Sequence, residues 1–105
     1  MVYNKLVRDK IPDIIRQQGK KPLVRILENG EYTHCLEGKL DEEVAEYHRD
    51  KNIEELADIL EVVFALAENL GASREDLMQV YRTKNEKRGG FAHRIFLIAK
   101  EDNCL

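Results

Sequence analysis

The chain has 105 residues, a net charge of −3 and two cysteines, which is room for one domain and one modest core, the kind that often gains stability by oligomerising. With 43% hydrophobic and 35% charged residues it has the balance of a globular helical protein, and this excludes intrinsic disorder. The slight acidity excludes the basic footprint of a duplex nucleic-acid binder, and the longest apolar run, Val62 to Ala67, is far below the roughly 20 residues of a membrane span.

The N-terminal residues Lys5, Arg8, Asp9 and Lys10 are not followed by an apolar stretch, so no secretory signal is expected. Cys35 and Cys104 form no CxxC and read as reduced, incidental thiols, which makes the cytoplasm the expected compartment. Pro12 suits the first turn of a short helix through Gln18 that Gly19 ends. Pro22 then opens Leu23–Leu27, a short β-type run, and Asn29-Gly30 reads as a turn. From about Glu31 to Arg49, Leu36, Leu40, Val44 and Tyr47 recur at helical spacing. Asn52 is a good N-cap with Glu55 at the capping-box position, opening a helix over about 53–70 that stops at Gly71. Ser73, with Asp76 three residues on, caps a further helix to about Lys87, which Gly89-Gly90 ends. A last apolar patch, Ile95–Ile98, reads as a short strand or edge able to pair with Leu23–Leu27. The predicted fold is mainly α: an antiparallel helical hairpin plus a third helix, completed as a bundle by oligomerisation, with short β segments near both ends.

The acids of the hairpin stand in an unusual place. At about 100° per residue, Ile59, Val62 and Leu66 cluster around the direction of Glu55, with Asp58 on the border of that apolar face. Glu54, Glu61 and Glu68 form an ordinary solvated stripe elsewhere. On the preceding helix Glu43 shares a face with Leu36, Leu40 and Tyr47, and Glu46 lies one turn further on. The tight turn between the helices brings these four carboxylates together in a partly apolar cleft. Uncompensated burial of charge costs several kcal/mol per ion or forces protonation. A divalent cation relieves both burial and repulsion, and an all-carboxylate site favours a hard ion, Mg²⁺ or Mn²⁺. The competing reading is plain ion pairing with Lys39, Lys84 or Lys87. Zinc is excluded by the scattered positions of His34, His48 and His93.

Lys39-Leu-Asp-Glu-Glu-Val-Ala-Glu46 and Glu54-Glu-Leu-Ala-Asp58 resemble the paired ExxE and ExxD motifs of the all-α, MazG-like nucleoside triphosphate pyrophosphohydrolases. Tyr3-Asn-Lys-Leu-Val-Arg-Asp-Lys-Ile-Pro12 and Lys87-Arg-Gly-Gly-Phe91 resemble its small phosphoribosyl-ATP pyrophosphohydrolase-like branch. The resemblance implies that Glu43, Glu46, Glu55 and Asp58 hold Mg²⁺, and that a nucleotide is cleaved between its α and β phosphates to a monophosphate and pyrophosphate. It also implies a helical dimer or dimer of dimers. Only eight residues separate Glu46 from Glu55, which is short for the superfamily and calls for a tight turn.

In such a reaction a metal neutralises phosphate charge and acidifies bound water. Glu42, adjacent to a matched ligand but not one itself, is the candidate to activate that water. Lys5, Arg8, Lys10, Lys39, Lys84, Lys87 and Arg88 are the candidate phosphate-binding cations, Arg88 being able to bind bidentately beside two glycines. The absence of GxxxxGK excludes a P-loop. The expected function is therefore Mg²⁺-dependent nucleotide pyrophosphohydrolysis of the house-cleaning type. The alternatives are phosphoribosyl-ATP hydrolysis in histidine biosynthesis and a non-catalytic helical interaction module. The second hairpin helix is apolar over most of its circumference, so a homodimer or homotetramer is expected to cover it.

Overall fold

A computed structural model describes residues 3–102; Cys104 lies outside them. Four helices follow in order: α1 (Ile11–Gln17), α2 (Asn29–Asp50), α3 (Ile53–Asn69) and α4 (Arg74–Arg88). Pro12 sits in the first turn of α1, where a missing N–H costs nothing.

α2 and α3 form the hairpin. Lys51, in the left-handed region at φ 48°, closes α2, and the Asn52 side chain caps α3 by accepting the Glu55 N–H at 3.0 Å. At the other end of the pair Asn69 donates to the Thr33 hydroxyl at 2.9 Å. The tight turn and this contact fix an antiparallel register that brings the C-terminal half of α2 opposite the first turns of α3. Leu36 on α2, with Val62 and Ala67 on α3, is buried between them, and among the described residues Glu43 is the buried charged one. Gly71, at φ 92°, lets the chain leave α3 in a conformation that a side chain would strain. Ser73 and Asp76 then cap α4 reciprocally, each bond 3.0 Å.

Three local expectations need correction. Asn29-Gly30 is the first turn of α2 and not a separate turn: the Tyr32 N–H donates to the Glu28 carbonyl at 2.8 Å, opening the helical ladder there. Arg25 holds Glu31 bidentately at 3.0 and 2.9 Å, fixing a carboxylate in the first turn, where the helix dipole favours it. The Asn52–Glu55 box is half-formed: the cap bond is made, but the Glu55 carboxylate turns into the hairpin. Neither Leu23–Leu27 nor Ile95–Ile98 is a strand, and no strand occurs among the described residues. An isolated two-stranded ribbon is marginal in water unless a face is covered, and these segments are bare.

The molecule is long: its radius of gyration is 19.3 Å and its extents are 73 × 31 × 21 Å, against about 13 Å for the radius of a compact domain of this size. It exposes 9919 Å², where a folded 12.2 kDa monomer exposes about 6,100 Å². Leu56 and Leu60 of α3, Val80 and Tyr81 of α4, and most of residues 91–98 are exposed. No helix among the described residues is long and apolar enough to cross a membrane.

Candidate functional site

The hairpin register brings together three of the four acids that the wheel geometry singles out. Glu43 from α2 and Glu55 and Asp58 from α3 each offer a carboxylate oxygen, and the three oxygens lie within 4.8 Å of one another. Glu46, one turn beyond Glu43, stands outside this trio and sets a further like charge beside both glutamates. Glu43 is 7% exposed. Its Oε2 and that of Glu55 are buried without a hydrogen-bond partner.

This arrangement perturbs both glutamates in the same direction. Burial pushes the Glu43 carboxyl above its usual range, and the neighbouring Glu46 carboxylate adds to the effect; Lys39 partly offsets it. Burial also raises Glu55, with Glu46, Asp50 and Asp58 as the repelling charges. Desolvation and like charge both disfavour the ionised forms.

Cations meet the acids from two sides. Lys39, one turn before Glu43 and largely covered, places Nζ 3.6 Å from Glu43 and 3.4 Å from Glu42. Arg8, from the segment preceding α1, places one nitrogen 3.3 Å from Asp58 and another 3.9 Å from Glu61. Glu61 is also 3.8 Å from Arg74, whose guanidinium stacks 4.0 Å from the Phe64 ring centre. A cavity of about 240 Å³ runs between Arg8, Lys39, Glu43, Asp58, Phe64 and Arg74.

The other candidates stand elsewhere. Glu42 is exposed, paired with Lys39, outside the acid cluster and not among the residues lining either cavity. Lys5 lies over the Tyr3 ring at 5.7 Å and lines a second cavity of about 600 Å³. Lys10 occupies the exposed N-cap position of α1. Lys84, Lys87 and Arg88 are exposed along the end of α4, line neither cavity, and make no ion pair among the described residues. Of the three lysines considered as partners for the acids, Lys39 alone is brought to them among the described residues.

Sequence reasoning missed Glu61, Phe64 and Arg74. Glu61 belongs to the stripe read as solvated, yet it bridges two arginines. Its position one turn from Asp58 was the available signal; the crossing of the 3–9 segment over α3 has no signature in local periodicity.

The donor set suits a hard divalent ion. Octahedral Mg²⁺ with oxygens at about 2.1 Å puts them about 3 to 4.2 Å apart, so small side-chain movements contract the observed cluster onto it. Two orphaned carboxylate oxygens supply lone pairs that no group among the described residues uses.

No family model and no solved structure matches the chain. An uncharacterized protein of Mycolicibacterium smegmatis (strain ATCC 700084 / mc(2)155) is 56% identical over 41 residues. That stretch is 39% of this chain and 42% of the relative, so the match spans about two fifths of each.

Proposed function

We propose that the protein is a Mg²⁺-dependent nucleotide pyrophosphohydrolase that cleaves between the α and β phosphates. The observation that carries this reading is the Glu43 carboxylate: buried, with Oε2 unpartnered, and facing the carboxylates of Glu55 and Asp58. A fold that gains only packing from this position would place an apolar side chain there, because replacing buried ions with apolar groups is often neutral or stabilising.

Glu43, Glu46, Glu55 and Asp58 would hold the metal, Mn²⁺ being a possible substitute for Mg²⁺. When bound, the ion supplies charge neutralisation and a more acidic water. Arg8 and Lys39 border the cavity and orient phosphate oxygens, while Arg8 exchanges Asp58 for the more highly charged ligand. Glu42, which Lys39 holds one residue from Glu43, takes the proton from the attacking water. The water oxygen bonds to phosphorus, the bridging P–O bond breaks, and the products are a nucleoside monophosphate and pyrophosphate. Lys5, Lys10, Lys84, Lys87 and Arg88 would join only through a substrate or a second subunit that reaches them. The working unit is a homodimer or homotetramer located in the cytoplasm, since the uncovered apolar faces of α3 and α4 need a partner.

Pyrophosphate release across a panel of nucleoside triphosphates and phosphoribosyl-ATP, with and without Mg²⁺, tests the reading. Metal-dependent monophosphate plus pyrophosphate is the expected result. Inorganic phosphate plus a diphosphate, or no turnover of any member, would remove the protein from this class.

A further inference from the structure

The residues after α4 form a protruding arm. Gly89, at φ 77°, ends the helix, and Phe91, Ile95, Phe96, Leu97 and Ile98 follow with exposures of 76 to 96%. Apart from a local bond between Arg94 and Phe91, no backbone hydrogen bond, side-chain hydrogen bond or ion pair among the described residues holds this arm. Four consecutive large apolar residues in water are costly: each loses about 1.5–3 kcal/mol relative to burial.

At the other end of the chain there is a matching vacancy. The 600 Å³ cavity lies between the 4–9 segment, the 23–27 segment and the start of α2, lined by Leu6, Val7, Leu23, Ile26, Tyr32 and Cys35 among others. Its 23–27 wall is bare as well, with Leu23 98% and Ile26 92% exposed. No backbone hydrogen bond among the described residues involves residues 21–27. One chain thus carries both an unpaired apolar segment that protrudes and an unpaired apolar segment that edges a groove.

We propose that the arm, residues 91–98, docks on a second copy of this chain, beside residues 23–27 in the groove of that copy, and that two copies exchange arms reciprocally. A donor and an acceptor on one chain close into a two-fold pair without leaving either end free, and an added strand uses the unpaired backbone of both segments. The area agrees. The chain exposes roughly 3,800 Å² more than a folded monomer of its mass, whereas a standard interface takes about 800 Å² from each partner. An interface of the larger, obligate kind fits the excess. The groove also shares its wall, Leu6 to Asp9, with the acid cavity, so the docked arm of one copy steadies the segment from which Arg8 reaches Asp58 in the other. This inference rests on the homo-oligomer of the proposed function but not on its catalysis; association of the parent that the arm variant leaves unchanged would keep the oligomer and remove the exchange.

Light scattering on the full chain should give at least twice 12.2 kDa at micromolar concentration. The double variant Phe96→Asp, Ile98→Asp should raise the dimer dissociation constant at least about 100-fold, since it places two charges in an apolar contact, while the helical circular dichroism of its monomer persists. A second experiment leaves the rest of the arm intact. Chains carrying only Ile26→Cys are mixed with chains carrying only Leu97→Cys, both with Cys35→Ser and Cys104→Ser, and treated with a long flexible bismaleimide. Cross-linking between the two kinds of chain is expected. A full chain that stays at 12.2 kDa, an aspartate variant that associates like the parent, or, with a doubly substituted Ile26→Cys, Leu97→Cys chain treated alongside, cross-linking confined to that chain would each overturn the exchange. The last result would mean that the arm folds back on its own body, and the first that the arm is free or serves a different protein.

Discussion

Arg8 and Asp58, 50 positions apart in sequence, meet with Nη1 3.3 Å from Oδ1. The contact ties the segment before α1 to the first half of α3, and it lands on an acid of the candidate metal cluster. Both side chains are substantially exposed, and ion pairs of that kind contribute about 0–1 kcal/mol. Stability therefore does not account for the position of Arg8. A guanidinium next to a metal-ligating carboxylate is well placed to pass to a phosphate, which it binds bidentately.

Arg8→Met should accordingly change the midpoint of thermal unfolding little, by the equivalent of less than about 1 kcal/mol. Turnover of the substrate found in the nucleotide panel should fall at least about tenfold, the scale set by roughly 1.4 kcal/mol of lost transition-state stabilisation. Magnesium binding, read by titration calorimetry, should persist. Loss of magnesium binding together with turnover would instead make Arg8 a structural support of the cluster.

Glu43→Gln and Glu55→Gln address the acids themselves. Each substitution removes like-charge repulsion from the metal-free protein and keeps side-chain volume. The metal-free unfolding temperature should stay level or rise, whereas breaking a compensated buried ion pair would cost several kcal/mol. The rise in unfolding temperature that Mg²⁺ confers on the parent, expected from binding linkage, should disappear in both. Near-parental turnover with Mg²⁺ in both variants would show that the site is elsewhere.

The legible and illegible parts of this molecule divide by range. The α2–α3 hairpin and the inward acids followed from periodicity and caps, because the face of a helix is fixed by residues three and four apart. Glu43 is buried as its place beside Leu36 and Leu40 implies. Glu61 was misread for the converse reason: its partners Arg8 and Arg74 come from other elements. Leu23–Leu27 and Ile95–Ile98 have strand composition but no strand, since a ladder needs a neighbour that composition cannot supply. Glu55 shows two signals in conflict: its backbone N–H completes the Asn52 cap while its carboxylate abandons the box for the acid cluster.

Ser73 gives a test of the local physics alone. Its hydroxyl accepts the Asp76 N–H, and the Asp76 carboxylate accepts the Ser73 N–H. Ser73→Ala should cost about 1 kcal/mol, roughly 4–8 °C in a domain of this size, seen first as fraying of α4 in hydrogen exchange. The Ser73 N–H holds the Asp76 carboxyl below its usual range. Its contribution is present above the ordinary Asp pKa of about 3.9 and is lost as pH falls through the lower folded value. The deficit of the Asp76→Asn variant relative to the parent should therefore shrink on acidification.

Glu43 and Glu55 act in the opposite sense to Asp76 and to the arginine-held Glu31. Both are raised in the folded protein, chiefly by burial, so the native state binds more protons than the unfolded chain over a window that opens near the ordinary Glu pKa of about 4.3. Stability falls with pH across that window and levels off once the raised folded value is passed. Asp76 and Glu31 are lowered and pull the total the other way, which makes the absolute curve a poor witness. The difference between the parent and Glu43→Gln isolates the effect. In the absence of metal the parent should lose ground to the variant as pH rises from about 4 to 7. Saturating Mg²⁺ should reverse that difference at pH 7, because the ion takes up the charge that burial penalises. Differential scanning calorimetry at several pH values, with chelator and then with Mg²⁺, reads both arms. A parent-minus-variant difference that stays flat with pH and indifferent to Mg²⁺ would mean that the Glu43 carboxylate is neither strained by its surroundings nor available to a cation.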